Sequence, residues 1–101
     1  MEPHVINLIY NAVDRTVTGQ RVMRPIKIGD TLIFQSADGP VHVKIYPEDV
    51  FSAAEYQSGQ PPLLVKKRAK FQYWCGVTIN GQVVGFPLNK QFGATEDTTN
   101  P

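Results

Sequence analysis

Apolar and polar residues alternate with a period of two along much of this chain, in short runs set off by glycine, proline and small polar residues. That is the pattern of half-buried strands. Val41, Val43 and Ile45 alternate with His42, Lys44 and Tyr46, which predicts a strand with one apolar face. Phe71, Tyr73 and Cys75 alternate in the same way with Gln72 and Trp74. Asn80-Gly81 then stands between two apolar stretches, and this dipeptide favours a two-residue hairpin turn. Residues 71–86 (FQYWCGVTINGQVVGF) therefore predict strand, turn and strand, and they hold the only cysteine and the only tryptophan.

Other elements follow from the same reading. Residues 4–10 (HVINLIY) predict a first strand that is largely apolar on both sides: Val5, Asn7 and Ile9 on one, Ile6, Leu8 and Tyr10 on the other. Residues 11–15 read as a turn and 16–18 as a short strand. Residues 21–28 are extended, because Pro25 disfavours helix at Arg24. Gly29-Asp30 predicts a turn, Thr31–Gln35 a strand, and Ser36 to Pro40 a loop that would join it to Val41–Tyr46 as an antiparallel neighbour. One short helix is expected near residues 48–57. Pro47 suits its first position, Glu48 and Asp49 suit its positive end, and Val50, Phe51, Ala53 and Ala54 offer an apolar stripe. Residues 63–67 predict another strand. Residues 1–92 are expected to form one domain, and the polar residues 93–101 a flexible tail. About six to eight short strands with a single minor helix predict an all-β, antiparallel Greek-key β-sandwich.

Composition narrows the function classes. With 101 residues, 42% hydrophobic and 19% charged, the chain is long enough for one core and too apolar to be disordered. A net charge of +1 gives no general attraction to nucleic acid or to an anionic membrane. No apolar run reaches the roughly 20 residues of a membrane span, and the N-terminal residues do not read as a signal peptide, so an extracytoplasmic location would require a leader removed beforehand. A single cysteine excludes an intrachain disulfide.

The chain resembles the cupredoxins, the plastocyanin-type blue-copper proteins, over residues 26–88. Gly29-Asp30-Thr31 followed by Leu32-Ile33-Phe34 is similar to a G-D-T strand of that family, and His42 stands thirteen residues after Gly29, where many members carry a copper histidine. Phe71-x-Tyr73-x-Cys75 is similar to the strand leading to the copper thiolate. Counting on from Cys75, Thr78 occupies the second histidine position, Val83 the methionine and Gly85 the glycine. The resemblance thus implies a cupredoxin-like sandwich with a degenerate copper site, in which only His42 and Cys75 remain as metal ligands. Type 1 copper needs two imidazoles and a thiolate, so no cofactor is expected. The parity of His42 with Lys44 and Tyr46 also turns it outward, away from the apolar face.

Function is expected to be non-enzymatic: a binding or protein-interaction module, with a protein partner or a second copy of the chain as candidates. The alternative is a copper-binding electron-transfer protein or metal carrier using His42, Cys75 and a third ligand such as Asn80, Gln82 or His4. Cys75 is expected as a buried thiol and His4 as a surface residue. Ser36, Asp38 and His42 are near in sequence but define no triad, which is a matter of geometry. Residues 66–70 (KKRAK) are expected as a solvated turn, with the neighbouring aromatic residues offering a sugar or nucleic-acid surface as a lesser alternative.

Overall fold

The alternation becomes ten strands in a computed structural model, which describes residues 1–85 and 94–101. They are β1 (Pro3–Asn11), β2 (Thr16–Gly19), β3 (Ile26–Lys27), β4 (Thr31–Gln35), β5 (Val41–Tyr46), β6 (Glu55–Gln57), β7 (Leu63–Leu64), β8 (Lys70–Ile79), β9 (Gln82–Val84) and β10 (Ala94–Thr99). Four strands form one sheet in the order β2-β1-β4-β7. Six form the other, in the order β3-β10-β8-β5-β6, with β9 also paired to β8. The expected domain boundary at residue 92 and residues 86–88 lie outside the described residues.

The two sheets face each other across one core. Ile6, Leu8, Leu32 and Phe34 come from the smaller sheet, and Val41, Val43, Ile45, Phe71, Tyr73 and Val77 from the larger. Phe34 links them, its ring 5.1 Å from that of Tyr73 and 5.8 Å from that of Tyr56. The β8–β9 hairpin forms as its turn chemistry dictates. Ile79 pairs with Gln82 across Asn80-Gly81, whose φ values of 50° and 83° both lie in the left-handed region.

Four expectations are corrected. Both sheets are mixed, because β1 runs parallel to β4 and β10 parallel to β3. β4 and β5 are not neighbours. β4 pairs with β1 and β7, β5 with β6 and β8, so the loop between them crosses the sandwich and their apolar faces meet through the core. No helix is present among the described residues. In place of the expected one, Phe51 bridges to Val65, Ser52 N–H donates to Leu64 O (2.9 Å) and Ala54 O accepts Ile45 N–H (2.8 Å). A helix of about three turns is marginal on its own, and here the adjoining strands claim its backbone groups. The polar C-terminal stretch is no tail either: β10 lies between β3 and β8. Thr98 is buried there, its hydroxyl donating to Lys67 O (2.6 Å) and accepting Ala69 N–H (2.8 Å).

The β4–β5 crossing leaves no room at Gly39. A Cβ placed there would run into the backbone carbonyl oxygen of Thr78, beside the bond that Thr78 N–H donates to Pro40 O (2.8 Å). Gly39→Ala should therefore push the loop off β8, at a cost on the order of 2 kcal/mol and a fall of about 10 °C in Tm. Ala37→Ser, at an exposed position of the same loop, is the control and should leave Tm unchanged. Equal melting of the two variants would show that the close approach is not required.

Candidate functional site

β5 and β8 lie side by side, with Val43 opposite Cys75 and His42 opposite Gly76. This register decides the fate of the two candidate metal ligands. Cys75 shares the inward parity of Phe71, Tyr73 and Val77; it is buried, and its Sγ stands 3.9 Å from Val17 O. His42 is on the outward face, where its Nε2 lies 3.0 Å from Thr78 Oγ1. The two residues project from opposite faces of one sheet, and the structure does not bring them together. Burial pushes the Cys75 thiol up to about 11, leaving little of the thiolate that metal binding or nucleophilic attack requires. Gly76, Val77 and Thr78, where the resemblance places a ligand loop, continue β8 without a break.

His4 is buried, not at the surface. Its Nε2 lies 2.8 Å from Asp30 Oδ2. An ionised carboxylate only accepts, so His4 carries the proton of this bond. Asp30 Oδ2 also accepts Lys27 N–H (2.9 Å), and Oδ1 accepts Glu2 N–H (2.9 Å). These bonds, His4's first among them, hold the Asp30 carboxyl down at about 2. The Glu2 carboxylate completes a cluster whose ligand-type atoms all lie within 4.8 Å of one another. Glu2 Oε2 is ion-paired with Arg24 Nη1. Each Asp30 oxygen is engaged by a backbone N–H. The cluster is thus a latch fastening the start of β1 to the turn before β4.

The basic run at residues 66–70 is exposed apart from half-buried Ala69, but its charge is partly answered. Lys67 Nζ donates to Asp49 Oδ2 (2.8 Å), and this contact draws the Asp49 carboxyl below its usual range. Lys70 stands opposite Asp97 in the β8–β10 ladder.

The outward face of the larger sheet carries a different assembly. Across one row stand Glu55, Lys44 and Trp74; across the next, Tyr46, Gln72 and Thr95. Trp74 is half-buried, whereas Tyr46 is 62% exposed, unusual for so large a ring. Two open clefts meet at Tyr46. One, of about 270 Å³, lies between Tyr46, Trp74, Lys44, Glu48 and Glu55. The other, of about 240 Å³, is bordered by Pro47, Lys70, Gln72 and Thr95. Sequence parity already places Lys44 and Tyr46 on one side of β5, and Trp74 opposite in parity to Phe71 and Tyr73. What parity cannot supply is that β5 pairs with β8, which sets Lys44 and Tyr46 beside Trp74 and Gln72. No family model matches the chain, nor does any curated protein or solved structure.

Proposed function

We propose that this protein is a non-catalytic binding module on a cupredoxin-like, Greek-key frame that holds no type 1 copper, and that it recognises its ligand or protein partner on the outward face of the larger sheet. The observation that carries the reading is the opposite facing of His42 and Cys75 on adjacent strands. The strand order supports the frame: the chain passes repeatedly from one sheet to the other, at β2–β3, β3–β4, β4–β5, β6–β7 and β7–β8. Three observations support the absence of catalysis among the described residues. His42 Nε2 is engaged by Thr78, Ser36 Oγ donates to Asp38 Oδ2 (3.4 Å) and accepts Asp38 N–H (3.1 Å) within an exposed loop, and the one thiol is buried. No described helix is long and apolar enough to cross a membrane.

Titrating the reduced protein with Cu(II) tests the reading. The expected spectrum has no intense thiolate-to-copper charge-transfer band; a blue or green species would overturn the proposal. Thr78→His combined with Val83→Met should fail to create such a band, because it supplies ligands while Cys75 still points into the core.

A further inference from the structure

We infer that the two clefts meeting at Tyr46 form a binding site for a neutral saccharide chain, with one ring seated against Trp74 and a following ring on the far side of Tyr46. The inference rests on the binding-module reading and names its ligand class.

Charge favours a neutral ligand. Lys44 and Lys70 are balanced across the clefts by Glu48 and Glu55. Lys44 also stands directly opposite Glu55 in the β5–β6 ladder. Two ammoniums against two carboxylates leave no net field to hold a polyanion or a polycation. The hydrogen-bonding groups are equally mixed. The carboxylates accept, the ammoniums donate, and the Gln72 amide and Thr95 hydroxyl do both, which suits a ligand whose hydroxyls donate and accept in turn.

The aromatic surface matches a sugar ring. An indole and a phenol lie among these polar groups, and each joins an apolar face to a polar edge. A pyranose has the complementary character, with C–H bonds gathered on one face and hydroxyls around its rim. Shape then favours a chain over a single molecule. Both clefts are open to solvent, and they adjoin at Tyr46, which lines each of them. Such a surface takes successive units of a chain, not one engulfed ligand. It is also built on paired strands, which hold the groups at fixed spacing across the ladder.

Trp74 is the only tryptophan, so its emission reports occupancy of the first cleft directly. The probes are cellohexaose, maltohexaose, xylohexaose and chitohexaose, each with its monosaccharide, and isothermal calorimetry as a second readout. At least one hexasaccharide should give a saturable emission change, with its monosaccharide at least about tenfold weaker because it fills one cleft and leaves the other empty. Affinity should hold within about twofold between roughly 50 and 500 mM salt, since no charge pair is formed with the ligand. Tyr46→Ala, which alters an exposed side chain and should leave the circular dichroism unchanged, should weaken binding by about tenfold or more. The inference is overturned if none of the four chains binds by either readout, if binding collapses with salt as it would for a charged peptide, or if Tyr46→Ala binds as the parent does. A copper band in the earlier titration would sink the binding-module reading itself. A saccharide failure without that band would remove only the ligand class.

Discussion

Phe34→Ala is expected to destabilise the fold by about 3–5 kcal/mol, a large fraction of the roughly 5–15 kcal/mol available to a domain of this kind. Phe34 is 2% exposed and is the residue of the smaller sheet whose ring meets both Tyr73 and Tyr56 of the larger. Truncation removes its transferred apolar surface and leaves a cavity at the point where the sheets are joined. The neighbouring strands cannot close it without breaking the β1–β4 and β5–β8 registers. Urea denaturation should show a lower midpoint with an unchanged slope, which is the signature of reduced stability without a change in the area exposed. Phe34→Leu should recover more than half of the loss. A cost below about 1 kcal/mol for the alanine variant would mean that the site collapses freely and that Phe34 is not the link between the sheets.

Asp30→Asn tests the latch on β1, and its effect should depend on pH in a defined direction. Asparagine keeps the shape but sets an NH2 group against donors, so at least one of Lys27 N–H, Glu2 N–H and His4 loses its acceptor. A fall in Tm of about 10 °C or more at neutral pH is expected. The sign of the pH effect follows from linkage. The folded-state carboxyl lies at about 2, below its ordinary value of 3.8, so the ionised form is the one the fold prefers. The stabilisation is complete above pH about 4 and is lost as pH falls from about 4 towards 2. The parent protein should lose more stability than Asp30→Asn across that window, and the two melting curves should converge at its acid end. Parallel curves over the whole range would show that the Asp30 contacts carry no preferential stability.

Much of the local structure is legible in the residues themselves. The inward set of Val41, Val43 and Ile45, the outward turn of His42 and the Asn80-Gly81 hairpin are all readable from alternation and turn chemistry. The candidate site is legible only in pieces. Lys44, Tyr46 and Trp74 can each be assigned to a side of its own strand, but not to one surface, because the short loop after β4 points to β4 as the neighbour of β5. The latch is not legible at all. His4 reads as a polar residue at the end of the chain, and only the parallel β1–β4 pairing, with His4 opposite Leu32, carries it under the turn that holds Asp30.

What the sequence by itself determined is which stretches are extended, where several turns fall, and which face of β5 and of β8 is apolar. These depend on side chains within a few residues of one another, and a pleat or a turn responds to them directly. Only the tertiary structure decided which side of β1 is buried: Ile6 and Leu8 went inside, while Val5 and Ile9 stayed 43% and 47% exposed. It alone turned an expected helix into a bridge at Phe51 and a backbone hydrogen bond from Ser52 to Leu64, and drew the polar residues of β10 into a sheet. It alone set His42 and Cys75 back to back and Tyr46 beside Trp74. The physical reason is the same throughout. Strand pairing is made by backbone N–H and C=O groups between residues far apart in the chain, and those groups are alike at every position except proline.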